Sequence, residues 1–353
     1  MTKKWLRWTP AVAVPAVIAG LVIAVPMSAN ASSDLPEKSA SELLQFVQSS
    51  DVTSLSGTIN QTSDLGVPDL SGLGSDGATS ALELLTADHE ARVYLSEGVG
   101  ARVQVLDSMA ERDLISNGTD VWLYDSEQKT AVHSSVPQYE SGEPTLPETV
   151  PTPAELADRL LAAIDPTTTV AVGSNTAVAG RDAYELVLSP KSGDTLVGSV
   201  GIAVDAETGV PLSVAVTASG GTSPAFSVGF SSVSFETPDA SLFAFTPPAG
   251  TEVTEKVVPE RDAPAGDASG PGASGSDASG AEPTVTGEGW NAVVELPGGD
   301  TSLIDNPLLD QVMTATDSGH VLQTALVSVL VTDDGRVFAG AVPASALETA
   351  AQR

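Results

Sequence analysis

Along this chain the hydrophobic positions recur with a helical period in a few short stretches and with a period of two in many. The first helical stretch follows Ser39-Ala40-Ser41-Glu42, a capping box with Ser39 as N-cap and Glu42 three residues on. Leu43, Phe46 and Val47 then keep helical spacing and predict a helix over about 39–50. Leu55-Ser56-Gly57-Thr58-Ile59-Asn60 reads as a strand, residues 62–80 as a Gly-, Ser- and Asp-rich loop, and Leu82-Glu83-Leu84-Leu85 as a single helical turn. Short strands follow. Arg92–Leu95 and Arg102–Leu106 flank the hairpin signal Glu97-Gly98-Val99-Gly100. Asp113–Ser116 leads into Asn117-Gly118, where tolerance of positive φ at both residues predicts a tight primed turn, and Val121–Tyr124 and Thr130–His133 complete a meander. After a Pro- and Glu-bearing loop, Thr152 (N-cap), Pro153 (N1) and Glu155 (N3) open a second helix. Leu156, Leu160, Ala163 and Ile164 share its face, and Asp165-Pro166 ends it. Strands at Thr169–Val172, Ala183–Leu188, Leu196–Val204, Leu212–Thr217 and Phe226–Phe235 form a second meander. This order predicts an α+β fold built on one large antiparallel sheet.

The pattern then breaks. Residues 257–284, rich in Pro, Gly, Ala, Ser and Asp, read as an acidic, flexible linker. It separates a main domain over 32–256 from a small α+β C-terminal domain over 285–353. In the latter, Leu308–Thr314 predicts a helix, Val321–Val331 one long strand, Thr332-Asp333-Asp334-Gly335 a hairpin turn, Val337–Val342 a return strand and Ala344–Ala351 a closing helix. Its size is near the lower limit for an autonomous core, which leaves docking onto the first domain open.

At the N-terminus, Lys3, Lys4 and Arg7 precede an apolar run from Ala11 to Val25 and the small-x-small pattern Ala29-Asn30-Ala31. This is the layout of a secretory signal over 1–31. The run holds Pro15, ends at Pro26 and is short for a membrane span, although retention as an anchor is the alternative. An exported location, in the cell envelope or outside it, follows. No later stretch is long and apolar enough to span a membrane.

Strand alternation sorts side chains onto faces. Trp122 and Tyr124 share one face of their strand, and Val121 and Leu123 the other. Phe226, Val228 and Phe230 line up opposite Ser227 and Gly229. Many strands therefore put large apolar groups on one side, with two amphipathic helices to cover it. A curved sheet so covered leaves room for an apolar cleft suited to an acyl chain or apolar peptide, with Trp122, Tyr124, Phe226 and Phe230 as candidate cavity residues. The plainer alternative is an ordinary filled core.

Composition narrows the chemistry. The 353 residues carry a formal net charge of -31, with 15 Lys+Arg against 46 Asp+Glu, which disfavours nucleic acid as a partner. Loss of residues 1–31 removes three basic and no acidic residues and takes the charge to -34. There is no cysteine, so disulfides, thiol nucleophiles and Cys-ligated metals are excluded. The three histidines, His89, His133 and His320, are dispersed, and no H-E-x-x-H, G-x-S-x-G or Walker A pattern occurs. No cofactor, metal site or catalytic residue is expected, and a hydrolase has no supporting constellation. Arg92 and Arg102 stand out as basic residues on strands. They read either as contacts to a ligand carboxylate or headgroup or, more simply, as strand-surface ion pairs.

Several segments, taken in order, resemble a known family. They are Leu55-Ser56-Gly57-Thr58, Asn117-Gly118-Thr119-Asp120-Val121-Trp122-Leu123-Tyr124, Tyr184–Lys191, Ile202–Asp205 with Thr208–Leu212, and Phe243–Val253. Over about 32–256 the chain is similar to the LolA/RseB superfamily of exported lipoprotein-carrier-like proteins, in an actinobacterial-type version. The resemblance implies an unclosed antiparallel β-barrel whose capping helices close over a hydrophobic cavity. In carriers of that family the cavity holds the acyl chains of lipoproteins. In RseB-like members a small C-terminal domain is added and the protein restrains cleavage of an anti-sigma factor. The segment Gly335–Ala351 is similar to that second domain, which implies a membrane-anchored regulatory protein as a partner for 285–353. The linker and second domain depart from the compact carriers and favour the regulatory role.

Overall fold

The computed structural model describes residues 35–67, 86–106, 110–135, 152–162, 164, 166–257, 284–296 and 312–353. The predicted signal, the turn at Leu82–Leu85, nearly all of the linker and most of the helix expected over Leu308–Thr314 lie outside these residues.

Local sequence sets the first element. The Ser39 hydroxyl accepts from the Glu42 amide at 3.3 Å, and the Glu42 carboxylate accepts from the Ser39 amide at 2.8 Å, closing the capping box. From it runs α1 (Ala40–Gln48), which buries Leu43 and Val47. The second helix, α2 (Pro153–Ala162), starts at the predicted Pro and buries Leu156 and Leu160.

The strands assemble into one thirteen-stranded sheet. The first meander comprises β1 (Ser54–Ser63), β2 (His89–Ser96), β3 (Gly100–Leu106), β4 (Glu111–Ser116), β5 (Asp120–Asp125) and β6 (Thr130–Ser135). The second comprises β7 (Thr168–Val172), β8 (Thr176–Val178), β9 (Arg181–Pro190), β10 (Val197–Asp205), β11 (Pro211–Ala218) and β12 (Pro224–Ser234). Strand β1 joins the two by pairing with both β2 and β12. The order is β13-β6-β5-β4-β3-β2-β1-β12-β11-β10-β9-β7, with β8 also on β9. The end strands β13 (Glu252–Val257) and β7 do not meet, so the sheet is an unclosed half-barrel. This is the predicted α+β architecture, with one correction, two strands not foreseen: β8, on β9, and β13, which pairs parallel to β6.

A second correction concerns the β4–β5 connection. The three residues Asn117–Thr119 separate the strands, and Gly118 alone among them takes positive φ, at 87°. The Asn117 side-chain oxygen accepts from the Thr119 and Asp120 amides at 3.1 and 2.8 Å. That side-chain turn replaces the primed backbone turn and spares Asn117 the left-handed region.

The second sheet has six strands in the order β14-β15-β19-β18-β17-β16. They are β14 (Thr284–Thr286), β15 (Val293–Leu296), β16 (Thr314–Thr316), β17 (Gly319–Gln323), β18 (Ser328–Thr332) and β19 (Val337–Gly340). The single strand expected over Val321–Val331 is two, because the Thr324 hydroxyl accepts from the Leu326 and Val327 amides and turns the chain there. Thr314, assigned to a helix from the sequence, begins β16. Helix α3 (Ala344–Ala351) matches its expected bounds and inserts Leu347 between Val293, Val321, Leu330 and Phe338.

The small sheet docks on the large one. Leu326, Val327 and Ala341 belong to the larger sheet's apolar core. The Ala341 carbonyl accepts from the Leu196 amide at 2.8 Å and the Thr195 hydroxyl at 2.6 Å, and the Ala325 amide donates to the Leu65 carbonyl at 2.8 Å. The Trp290 indole donates to the Thr168 hydroxyl at 2.9 Å.

Candidate functional site

Residues directly opposed on neighbouring strands share a face, so the registers trace each face across the sheet. Phe230 faces Ile59, Ile59 faces Ala91, Val93 faces Val103, Val103 faces Leu114 and Leu114 faces Leu123. In the other direction Phe226 faces Val216, Val216 faces Val200 and Val200 faces Leu188. One face is thus apolar from β5 to β9. Helix α1 lies over β7 and β9, and α2 over β11 and β12. Phe226 and Phe230 sit in this core and are 1% exposed. Each contributes about 1.5–3 kcal/mol by burial. Toward its two ends the face is less covered: Leu95, Val121 and Leu123 at one end and Val170 and Val172 at the other are half-buried.

At the β7–β9 end the face opens into a cleft of about 720 Å³. It is lined by Leu35, Pro36, Lys38, Val172, Asn175 and Tyr184, with Glu37, Gly173 and Ser174. The volume is in the range of small-molecule sites. The Tyr184 hydroxyl ties down the strand-like entry to α1 by donating to the Pro36 carbonyl at 3.0 Å. The Lys38 ammonium lies over the Phe46 and Tyr184 rings, 4.9 and 5.5 Å from their centroids. The cleft therefore has a mixed lining, with Leu35, Val172 and Tyr184 beside Glu37, Lys38, Ser174 and Asn175.

Trp122 and Tyr124 are elsewhere. Trp122 is opposite Ile115 and His133, and Tyr124 opposite Asp113, all on the reverse face. The four candidate cavity residues therefore do not line one cleft. The reason is physical: β5 is apolar on both faces, and alternation alone cannot say which face meets the helices. The reverse face is covered by a strap running from Asp239 to β13. Asp239 caps a 3-10 turn, Ala240–Phe243, whose Phe243 is buried. Phe245 follows, with its centroid 5.4 Å from both the Trp122 and the Tyr124 ring.

The strap also rests on charge. Arg102 donates to the Asp113 carboxylate at 2.6 Å and to the Leu242 carbonyl at 3.4 Å. Burial pushes the Asp113 carboxyl up, against the pull of Arg102. Of the two expected meanings of Arg102, the ion pair is the one observed; Arg92 is exposed. Gly100 makes the fit possible. A Cβ there would press on the Ser116 carbonyl and come 2.9 Å from Phe243 Cγ. Gly100→Ala is expected to cost about 1–3 kcal/mol and to expose the strap, read by urea unfolding and by protease cutting within 239–257. The sequence shows Phe243 and Phe245 as an isolated i, i+2 pair, and its target face is visible only from the registers.

Among the described residues no group of three or more His, Asp or Glu side chains is arranged to hold a metal. His133 is pinned between two carboxylates, His89 is buried on β2, and His320 lies on β17.

No protein-family model matches the chain, and no curated protein matches it. Solved structures do. The complex of MucA and MucB from Pseudomonas aeruginosa aligns at 15% identity and TM-score 0.43 over 88% of this chain and 96% of that one. An uncharacterised conserved protein from Thermus thermophilus aligns at 12% and 0.36, over 62% and 99%. A LolA superfamily protein from Nitrosomonas europaea aligns at 11% and 0.23, over 59% and 99%. The structures to which this chain is similar thus include LolA superfamily proteins and MucB.

Proposed function

We propose that this is an exported, non-enzymatic binding protein that takes an acyl chain or a lipoprotein against the apolar face of its half-barrel. The supporting observation is that face itself: continuous from β5 to β9 and half-buried at Leu95, Val121 and Leu123. Insertion there is favourable by about 0.8 kcal/mol per methylene buried. Leu95, Val121 and Leu123 form the acyl-facing surface in this reading, with the buried Phe226 and Phe230 as core farther along the same face; Trp122 and Tyr124 fasten the strap. Native mass spectrometry of the full chain purified from its own envelope is expected to show a bound acyl species. Leu123→Asp should lower capture of a fluorescent fatty acid at least about tenfold, the scale of placing a charge on an acyl site. Trp122→Ala should leave that capture within about twofold, since it faces away. No bound species, with no effect of Leu123→Asp, would refute the carrier reading.

A regulatory role through residues 285–353, with a membrane-anchored protein as partner, is the second reading. The docking of the small sheet into the large sheet's core favours it, since occupancy of one sheet can then be felt by the other. Photocrosslinking from exposed Thr314 on edge strand β16 should capture such a protein and release it when the main face is filled with fatty acid. Capture indifferent to fatty acid would count against coupling.

A further inference from the structure

The His133 ring has two carboxylates at its two nitrogens. Nε2 is 2.9 Å from Asp120 Oδ1, and Nδ1 is 2.8 Å from Glu255 Oε2. Ionised carboxylates only accept, so both nitrogens must donate, and only the imidazolium has two N–H groups. The same ring stacks on Trp122, with centroids 4.1 Å apart and planes at 16°, the arrangement of a cation on an aromatic face. Asp120 lies on β5, His133 on β6 and Glu255 on β13, so this one side chain ties three strands at the sheet edge.

We propose that His133 is a proton-operated clasp that fastens β13, and with it the strap over the reverse face, to the half-barrel. The other groups about the ring do not replace it. Strand β5 offers Asp120, itself receiving the Thr119 hydroxyl at 2.9 Å, and then the uncharged Trp122. Strand β13 adds Glu252 and Lys256, both exposed, on either side of Glu255. The strap adds Phe245, against Trp122. On β6 the neighbours on the same face are Ala131 and Ser135.

The sign follows. Burial lowers the His133 pKa, but the two carboxylates outweigh it and hold the pKa above the ordinary imidazole range. The stabilisation is therefore complete below the ordinary range and is lost as pH rises through the raised pKa. The His133 hydrogen bond, helped by Thr119, lowers the Asp120 pKa, so at the acid end the Asp120–His133 pair persists until pH falls through that lowered value. The strap is shut while His133 is charged and Glu255 ionised. Once His133 loses its proton the ring keeps one N–H and can serve only one of the two carboxylates, so the ionic hold on β13 is lost and its backbone ladder to β6 carries it.

The test uses the full chain. Histidine-labelled NMR gives the His133 midpoint, and hydrogen exchange, corrected for intrinsic rates, gives protection at 252–257. Protection should fall roughly three- to tenfold between about pH 6 and pH 9, over the same interval as the His133 titration. Glu255→Gln, at a largely exposed carboxylate, keeps the fold and should flatten most of that dependence. His133→Gln should give the low protection at both pH values. Protection that is unchanged across the range, or that changes equally in His133→Gln, would overturn the clasp.

Discussion

Asp205→Ala is expected to destabilise the protein by about 3–5 kcal/mol, the cost of breaking a buried ion pair from one side. Asp205 is 0% exposed. One of its carboxylate oxygens accepts from the Thr208 amide and hydroxyl, each at 2.8 Å, from the Glu207 amide at 3.1 Å and from the Arg181 Nη2 at 3.1 Å. The other accepts from Arg181 Nε. The guanidinium is also stacked on Phe235, 4.9 Å from the ring centroid. Removing the carboxylate leaves Arg181 with only the exposed Glu207 as ionic partner, at 2.7 Å, and the Glu207 and Thr208 amides without their side-chain acceptor, which weakens the turn that sets β10 against β11. Asp205→Asn should cost less, because the amide oxygen can still receive the turn. Burial alone would raise the Asp205 pKa; the Arg181 and Thr208 hydrogen bonds outweigh it, and the value is lowered. This stabilisation is present above the ordinary carboxylate pKa and is lost as pH falls through the lowered one. Urea melts at neutral and acid pH check both points. A neutral-pH loss within about 1 kcal/mol would remove Asp205 from the fold's main supports.

Leu326→Asp is the second large effect. Leu326 is 0% exposed and is a residue of the small sheet lodged in the core of the large one. A carboxylate placed in that apolar cluster must be neutralised or carried to water, at a cost of several kcal/mol. The expected outcome is undocking, because parting the sheets at Leu326 disturbs less than unfolding either. Small-angle scattering should show a larger radius of gyration, with exchange rising at Leu196 and Ala325, whose amides donate across the junction. Leu326→Ala, at about 2–5 kcal/mol, should weaken the junction and separate the melts of the two sheets. Unaltered scattering and one unshifted melt for Leu326→Asp would mean that the junction is held elsewhere, by Trp290 and Ala341.

What could be read from the chain was what neighbours in sequence decide. Ser39 and Glu42 close a cap within one turn, and Ala344–Ala351 shows its buried stripe through Leu347, so both helices were legible to within a residue or two. The hairpin Glu97–Gly100 announces itself because Gly98 needs φ of 72°. The reverse face of β5 was not legible. Trp122 and Val121 are equally apolar, and which of them meets the helices depends on a register passed through β4, β3, β2 and β1 to Phe230. Strand β13 was missed for a related reason. Glu252–Lys256 are all exposed, and the strand's parallel partner is more than a hundred residues away in sequence. Arg181 opens β9 and Asp205 closes β10, and nothing local in the sequence says that they share an ion pair.

An open half-barrel has two raw borders, and each is a template on which another chain can polymerise. At one border β7 is five residues long, too short to recruit much. At the other, β6 alone would offer Thr130–Ser135, a run free of formal charge apart from its histidine. Strand β13 lies along that run and presents Glu252, Glu255 and Lys256 to the outside, replacing a sticky margin with a repelling one. The same strand that fastens the strap is thus a guard against fibre growth. An alkaline shift that frees it should appear as aggregation before any loss of the core.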